Sequence, residues 1–129
     1  MERPQRLKKA REFARVRHSG QSWAHQLIVL SAAANGQCKS QFGFITSKRV
    51  GNAVQRNRAR RLMREAVRQN LSNIAAGWDC VFIARKPLPG ATFAQTSTAV
   101  IQLLKRAKLW QSPSPEQQTT NQKDRKQLL

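Results

Sequence analysis

Arg56-Asn57-Arg58-Ala59-Arg60-Arg61-Leu62-Met63-Arg64-Glu65-Ala66-Val67-Arg68 is the stretch that decides how this chain folds and what it shows to solvent. A step of about 100° per residue puts Ala59, Leu62, Met63, Ala66 and Val67 on one arc of a helix. Arg56, Asn57, Arg58, Arg60, Arg61, Arg64 and Arg68 fall on the opposite arc. The helix is therefore two-faced, one side apolar for packing on a sheet and the other carrying six guanidiniums. Like charges four residues apart, as in Arg56/Arg60 and Arg60/Arg64, each cost about 0.2–0.5 kcal/mol in an isolated helix. A purely structural helix would interleave glutamates, and Glu65 is the only one here. Arginine also forms paired hydrogen bonds to phosphate and stacks on bases, which lysine does not.

The flanking residues fix where this helix starts. Gly51 and Asn52 break the preceding strand, Asn52 can cap the first turn, and Gln55 stands three residues on as in a capping box. The pattern predicts a helix over 53–71. Lys48 and Arg49 sit just before a helix start whose free N–H groups favour anions.

Outward from there, Gln41 to Ser47 reads as a strand returning after the Asn35-Gly36 turn signal. Gln21 to Ala34, with Trp23 and Leu27-Ile28-Val29-Leu30, is strand material. Residues 5–18 suit a helix with Leu7, Ala10, Phe13 and Ala14 on one arc, stopped by His18-Ser19-Gly20. Downstream, Trp78 to Ala84 reads as a buried strand around Cys80-Val81-Phe82-Ile83. Pro87, Pro89 and Gly90 end it, and Thr92 with Gln95 opens a last helix with an inward stripe of Phe93, Val100, Ile101, Leu104 and Ala107. Residues 1–110 are expected to form one domain and 111–129, which lack aromatics, a disordered polar tail.

Charge narrows the function. The 129 residues hold 24 Lys and Arg against 6 Asp and Glu, a net charge of +18. Residues 1–19 and 48–68 carry 15 of the 24 cations, and the stretch between them carries only Lys39. That layout is a basic surface beside a core, and it predicts a polyanionic partner, foremost nucleic acid. The acids are scattered singly, so a hydrolase built on converging carboxylates is disfavoured. Cys38 and Cys80 lie far apart without metal-ligand spacing and are expected to be two buried, reduced thiols. No apolar run approaches the ~20 residues that span a bilayer, and the N-terminus is too charged for a secretory signal, so a cytoplasmic location is expected. Trp23, Trp78 and Trp110 are expected to pack in or over the core. His18 and His25 have no acidic or Cys neighbour in sequence and are expected to do no acid–base chemistry. On residues alone, a structural RNA binder and a basic membrane or DNA-compacting protein also stand, although the arginine helix lacks the apolar Trp or Phe that membrane helices use.

Thr46-Ser47-Lys48-Arg49-Val50-Gly51-Asn52-Ala53-Val54-Gln55-Arg56-Asn57-Arg58-Ala59-Arg60-Arg61-Leu62-Met63-Arg64-Glu65 resembles the signature of the bacterial ribonuclease P protein subunit. Phe13 to Gly20 upstream and Asp79 to Lys86 downstream fit the same pattern, and the resemblance covers about residues 5–108. It implies an α/β (α+β) two-layer sandwich in the order α-β-β-β-α-β-α, with the arginine helix in a left-handed β-α-β crossover. It also implies an RNA–protein endonuclease that removes the 5′ leader of precursor tRNA, in which RNA supplies catalysis and binds the magnesium ions. The protein, one per catalytic RNA, would dock through Lys48, Arg49, Arg56, Asn57, Arg58, Arg60, Arg61, Arg64 and Arg68. It would hold the leader near Phe13, Arg17 and Ser22, with no catalytic residue of its own. Arg17 stands where many members carry an aromatic, and the chain has no Tyr.

Overall fold

The computed structural model describes residues 5–111. Its elements run β1 (Gln5–Arg6), α1 (Ala10–Ser19), β2 (Gln21–Ala24), β3 (Ile28–Ala34), β4 (Gln41–Ile45), α2 (Ala53–Gln69), β5 (Trp78–Ala84) and α3 (Phe93–Arg106). The expected α-β-β-β-α-β-α order is present, preceded by the two-residue β1. Of the expected tail, all but Gln111 lies outside the described residues. Gln111 itself still donates its backbone N–H to the Asn73 carbonyl.

The five strands lie in the order β1-β4-β5-β3-β2. β5 sits at the centre, parallel to β4 and antiparallel to β3. Its apolar run explains that position, since residues 79–82 are all buried and only an inner strand is covered on both faces. This corrects the sequence expectation that β4 returns beside β3 after the Asn35-Gly36 turn. The turn exists, with Gly36 at φ 67°, but the chain crosses the end of β5 before β4 begins.

Alternation along the strands divides the core. Leu30, Phe42, Cys80 and Phe82 face α2 and α3, where they meet Ala59, Met63, Val67, Val100 and Leu104. Leu7, Val16, Ala33 and Val81 form a smaller cluster under α1 on the other face, with Phe13, Ile45 and Ile83 packed against it. The helix-on-sheet sandwich is thus built mainly by α2 and α3, and α1 covers part of the second face.

The handedness of the β4–α2–β5 connection follows from one residue. Phe42 turns its side chain toward α2, while its carbonyl accepts the Leu7 N–H from the β1 side. Viewed from α2 with β4 running upward, an L-residue whose side chain faces the viewer points its carbonyl to the right. β1 therefore lies to the right and β5 to the left, and the chain passes in front on its way left. The crossover is left-handed, the minority case for parallel strands.

The first helix begins later than its periodicity suggests. Glu12 accepts the backbone N–H of Lys9 at 3.1 Å, which favours a start near residue 10. Gln5 and Arg6 instead pair with Gln41 and Phe42 along the edge of β4. The inward face of α1 is Phe13 and the fully buried Val16, while Ala10 and Ala14 are exposed. Asp79, 4% exposed, anchors this helix by accepting from Arg15 at 2.5 Å and from Asn35 at 2.9 Å.

Trp23, Trp78 and Trp110 pack against the main core as expected, with the Lys105 ammonium 5.7 Å from the Trp110 ring centroid. The thiols differ from expectation, because Cys38 lies exposed in the β3–β4 connection. Cys80 is buried, and desolvation, followed by the charge of Asp79, pushes its pKa up to about 12.

Gly20 closes α1 onto β3, and a Cβ there would lie 2.3 Å from the Ala32 carbonyl oxygen and 2.5 Å from that of Val16. Both obstacles are backbone, so neither moves cheaply. Gly20→Ala is expected to lower stability by about 1–3 kcal/mol in chemical denaturation. Wild-type stability in that variant would show that α1 does not close on β3 this tightly.

Candidate nucleic-acid interface

The arginine helix is assembled as its sequence predicts at the start and along its buried arc. A single turn at Lys48–Val50 leads into Gly51, whose φ of 144° suits glycine, and a Cβ there would meet the Gln55 side chain at 1.9 Å. Asn52 Oδ1 accepts from Gln55 N–H and Gln55 Oε1 accepts from Asn52 N–H, both at 2.9 Å. Ala59, Leu62, Met63, Ala66 and Val67 are the buried residues of α2, the same five that define its apolar arc. With that arc on the sheet, the opposite arc must face away from it.

The six guanidiniums are not equivalent. Arg60 donates to Asn57 Oδ1 at 3.1 Å and to Thr46 Oγ1 at 2.9 Å, which holds it along the end of β4. Arg58 donates from Nε to the Pro89 carbonyl at 2.8 Å and from a terminal nitrogen to that of Ala91 at 3.3 Å. It thereby ties α2 to the β5–α3 connection. Arg68 pairs with Glu65, with Nε 3.0 Å from Oε2. That pairing, with help from Gln69, lowers the pKa of the half-buried Glu65 carboxyl to about 2. Arg61 is exposed. The Nε atoms of Arg56 and Arg64 are buried without a hydrogen-bond partner. Burial, then the charges of Arg6 and Arg60, lower the pKa of Arg64. Among the described residues, Arg68 alone of the six pairs with an acid.

The face under α1 has a different character. Phe13 is half-buried, its ring seated over Gly43, whose Cβ position lies 2.3 Å from the ring. Arg17 is exposed one turn further along α1. Ser22 is exposed on β2, its hydroxyl 2.7 Å from that of Ser31. Beyond the end of α1, Val29, Ile45 and Ile83 lie half-buried on neighbouring strands. This apolar strip borders an open cavity of about 500 Å³, whose lining includes Ser47, Arg49, Ile83, Arg85 and Lys86. A slightly larger cavity of about 570 Å³, lined by residues such as His25, Gln95, Thr98 and Gln102, has no Lys or Arg in its wall. It has no electrostatic claim on a polyanion.

The family described as Ribonuclease P matches residues 1–108. The chain belongs to the ribonuclease P protein family. It is similar to the ribonuclease P protein component of Herpetosiphon aurantiacus, 42% identical over 119 residues that cover 90% of this chain and 97% of the relative. The corresponding component of Roseiflexus castenholzii is 47% identical over 108 residues, 83% of this chain and 88% of the relative. Among solved structures, the RNase P protein of Staphylococcus aureus aligns with a TM-score of 0.75 at 33% identity, covering 81% of this chain and 96% of that one. That of Thermotoga maritima aligns with a TM-score of 0.72 at 31% identity, covering 79% and 96%.

In this ribonuclease P protein, Lys48 and Arg49 precede the helix that carries Arg56, Asn57, Arg58, Arg60, Arg61, Arg64 and Arg68. Phe13, Arg17 and Ser22 lie apart from them, at α1 and β2. Arg58 and Arg68 are partly engaged within the protein. One nearby cation escaped the sequence reading. Arg6 in β1 stands opposite Phe42, on the face crossed by α2. Nothing in the local pattern marks a two-residue strand, because its pairing depends on the edge of β4. Arg85 and Lys86 follow β5 directly and reach the cavity beside Arg49. Their position after a strand was the only sequence signal.

The two kinds of arginine are separable by mutation. Arg61→Ala is expected to leave the thermal midpoint unchanged and to weaken RNA binding. Arg58→Ala is expected to weaken RNA binding and also to cost about 1 kcal/mol of stability through its lost carbonyl contacts. Calorimetry and RNA titration on the two variants check this, and equal stability losses would refute the distinction.

Proposed function

We propose that this ribonuclease P protein docks on the catalytic RNA through the arginine face of α2 and holds the 5′ leader of precursor tRNA along the α1 face. The carrying observation is the six-guanidinium face itself, on which only Arg68 has an acidic partner among the described residues. Self-repulsion on that face is relieved when phosphates replace solvent, and counterions released from the RNA add the entropic gain. Lys48 and Arg49 extend the footprint to the start of the helix.

The leader reading rests on different chemistry. Single-stranded RNA binds by stacking on planar groups beside a cationic track. Phe13 and the Arg17 guanidinium supply planar surfaces, the Ser22 hydroxyl a polar contact, and Arg49, Arg85 and Lys86 a positive end to the strip. With no Tyr in the sequence, this chain would lean more on cationic contacts than on stacking.

Under this reading cleavage belongs to the RNA, and the chain supplies binding and charge neutralisation. Magnesium would be held by the RNA and the substrate. Among the described residues no three or more His, Cys, Asp or Glu side chains group to hold a metal ion. Glu12, Glu65 and Asp79 are each engaged by groups of the protein itself. One protein per catalytic RNA and a cytoplasmic setting go with tRNA processing. No described helix is long and apolar enough to cross a membrane.

The test combines the protein with a bacterial catalytic RNA and precursor tRNA at low magnesium. The expected result is stimulated leader removal that weakens as the leader is shortened, with no cleavage by the protein alone. Absence of stimulation, together with equal binding to any structured RNA, would replace this function with that of a structural RNA binder.

A further inference from the structure

The two flanks of α2 differ in chemistry. At about 100° a residue, Arg56, Arg60 and Arg64 form one strip, on the side of β4, where Arg60 donates to Thr46. Val54, Arg58, Arg61 and Glu65 form a second strip, on the side of α3, where Arg58 donates to the Pro89 and Ala91 carbonyls. The first strip is purely cationic. The second mixes two guanidiniums, a carboxylate and Val54, which at 74% exposed is the one large hydrophobic side chain left in solvent among the described residues.

A cavity of about 240 Å³ opens along this second strip, lined by Arg58, Arg61, Leu62, Glu65 and Phe93. Phe93, the first residue of α3, is half-buried against the main core and turns its remaining surface to the cavity. The carbonyl contacts of Arg58 use the edge of its guanidinium and fix that wall in place. Arg61 is exposed at the rim. The volume falls below the roughly 300–1,000 Å³ of pockets for drug-sized ligands, which suits a single planar group. Glu65 weighs against a phosphate here, because its carboxylate repels an anion and leaves an uncharged base unpenalised. An aromatic ring beside guanidinium planes is the wall on which unpaired bases stack.

We propose that the cavity between α2 and the start of α3 holds one unpaired nucleobase of the catalytic RNA, stacked against Phe93 and Arg61. The β4-side strip then meets phosphates, and the α3-side strip takes an extruded base. The leader strip under α1 lies on the other face of the sheet, so the base comes from the catalytic RNA. This site rests on the RNA-docking function proposed above and adds to it a contact with a base.

The test measures binding of the full chain to a bacterial catalytic RNA across a salt series, for the wild type, F93L, F93Y, R61K and the exposed-loop control K39A. F93L, which keeps an apolar group on the core and loses the flat ring, is expected to weaken binding about 5- to 20-fold. Its log–log salt slope should stay at the wild-type value, because no phosphate contact is lost. F93Y keeps the ring and should restore the affinity, and K39A should match the wild type. R61K should also keep the slope while losing affinity several-fold. It decides the matter if F93L fails to fold, since Arg61 is exposed and off the core. Dimethyl sulfate and carbodiimide, which together read the Watson–Crick edges of all four bases, should find one unpaired base shielded by the wild type and reactive again with F93L or R61K. The site is refuted if both variants bind and shield the RNA as the wild type does, if no base changes reactivity between them, or if F93L lowers the salt slope as a lost phosphate contact would. If the wild type binds catalytic RNA no better than an unrelated structured RNA, the docking function itself fails, before any variant is compared.

Discussion

Burial of five α2 side chains fixes which way the arginine helix of this protein faces. Ala59, Met63, Ala66 and Val67 are fully buried, and Leu62 is 9% exposed. Removing apolar side chains of this kind from water is worth about 1.5–3 kcal/mol for each Val- or Met-sized group. That gain locks the rotation of α2 about its own axis. Once the rotation is set, the arginines are kept off the arc that packs on the sheet. Packing thus determines electrostatics.

The same packing makes the charge tolerable. The central sheet is nearly free of charge, and its buried acid, Asp79, serves Arg15 on the face away from α2. Carbonyls and neutral side chains orient Arg58 and Arg60 without cancelling their charge. A face of this kind raises the free energy of the isolated chain, and a polyanion that binds only the folded form offsets it by mass action. Under the proposed function the shortage of carboxylates has a matching sense: a protein docked on a negatively charged catalyst would gain nothing from acids of its own.

Elements whose determinants are local were legible in sequence. The α2 start was written in Asn52 and Gln55, its inner arc in the spacing of Ala59 to Val67, and β5 in its apolar run. The start of α3 was equally plain in Thr92 and Gln95, which exchange hydrogen bonds of 3.1 and 2.9 Å. What depends on distant partners was not legible. β1 exists because the edge of β4 accepts it, and periodicity alone merged Gln5 and Arg6 into α1. Placing β5 between β3 and β4 required the whole sheet. The engagement of Arg58 required the β5–α3 connection to be in place. Cys38 proved exposed because the chain must loop past the end of β5 before starting β4.

The central claim is that the outward arc of α2, fixed by packing, is the surface that meets RNA. Arginine-selective chemical modification, read residue by residue with and without the catalytic RNA, tests it most directly. The account predicts that RNA protects Arg56, Arg61 and Arg64, while Arg11 on α1 and Arg106 at the end of α3 remain as reactive as in the free protein. Protection of Arg11 and Arg106, with Arg56, Arg61 and Arg64 still reactive, would contradict it.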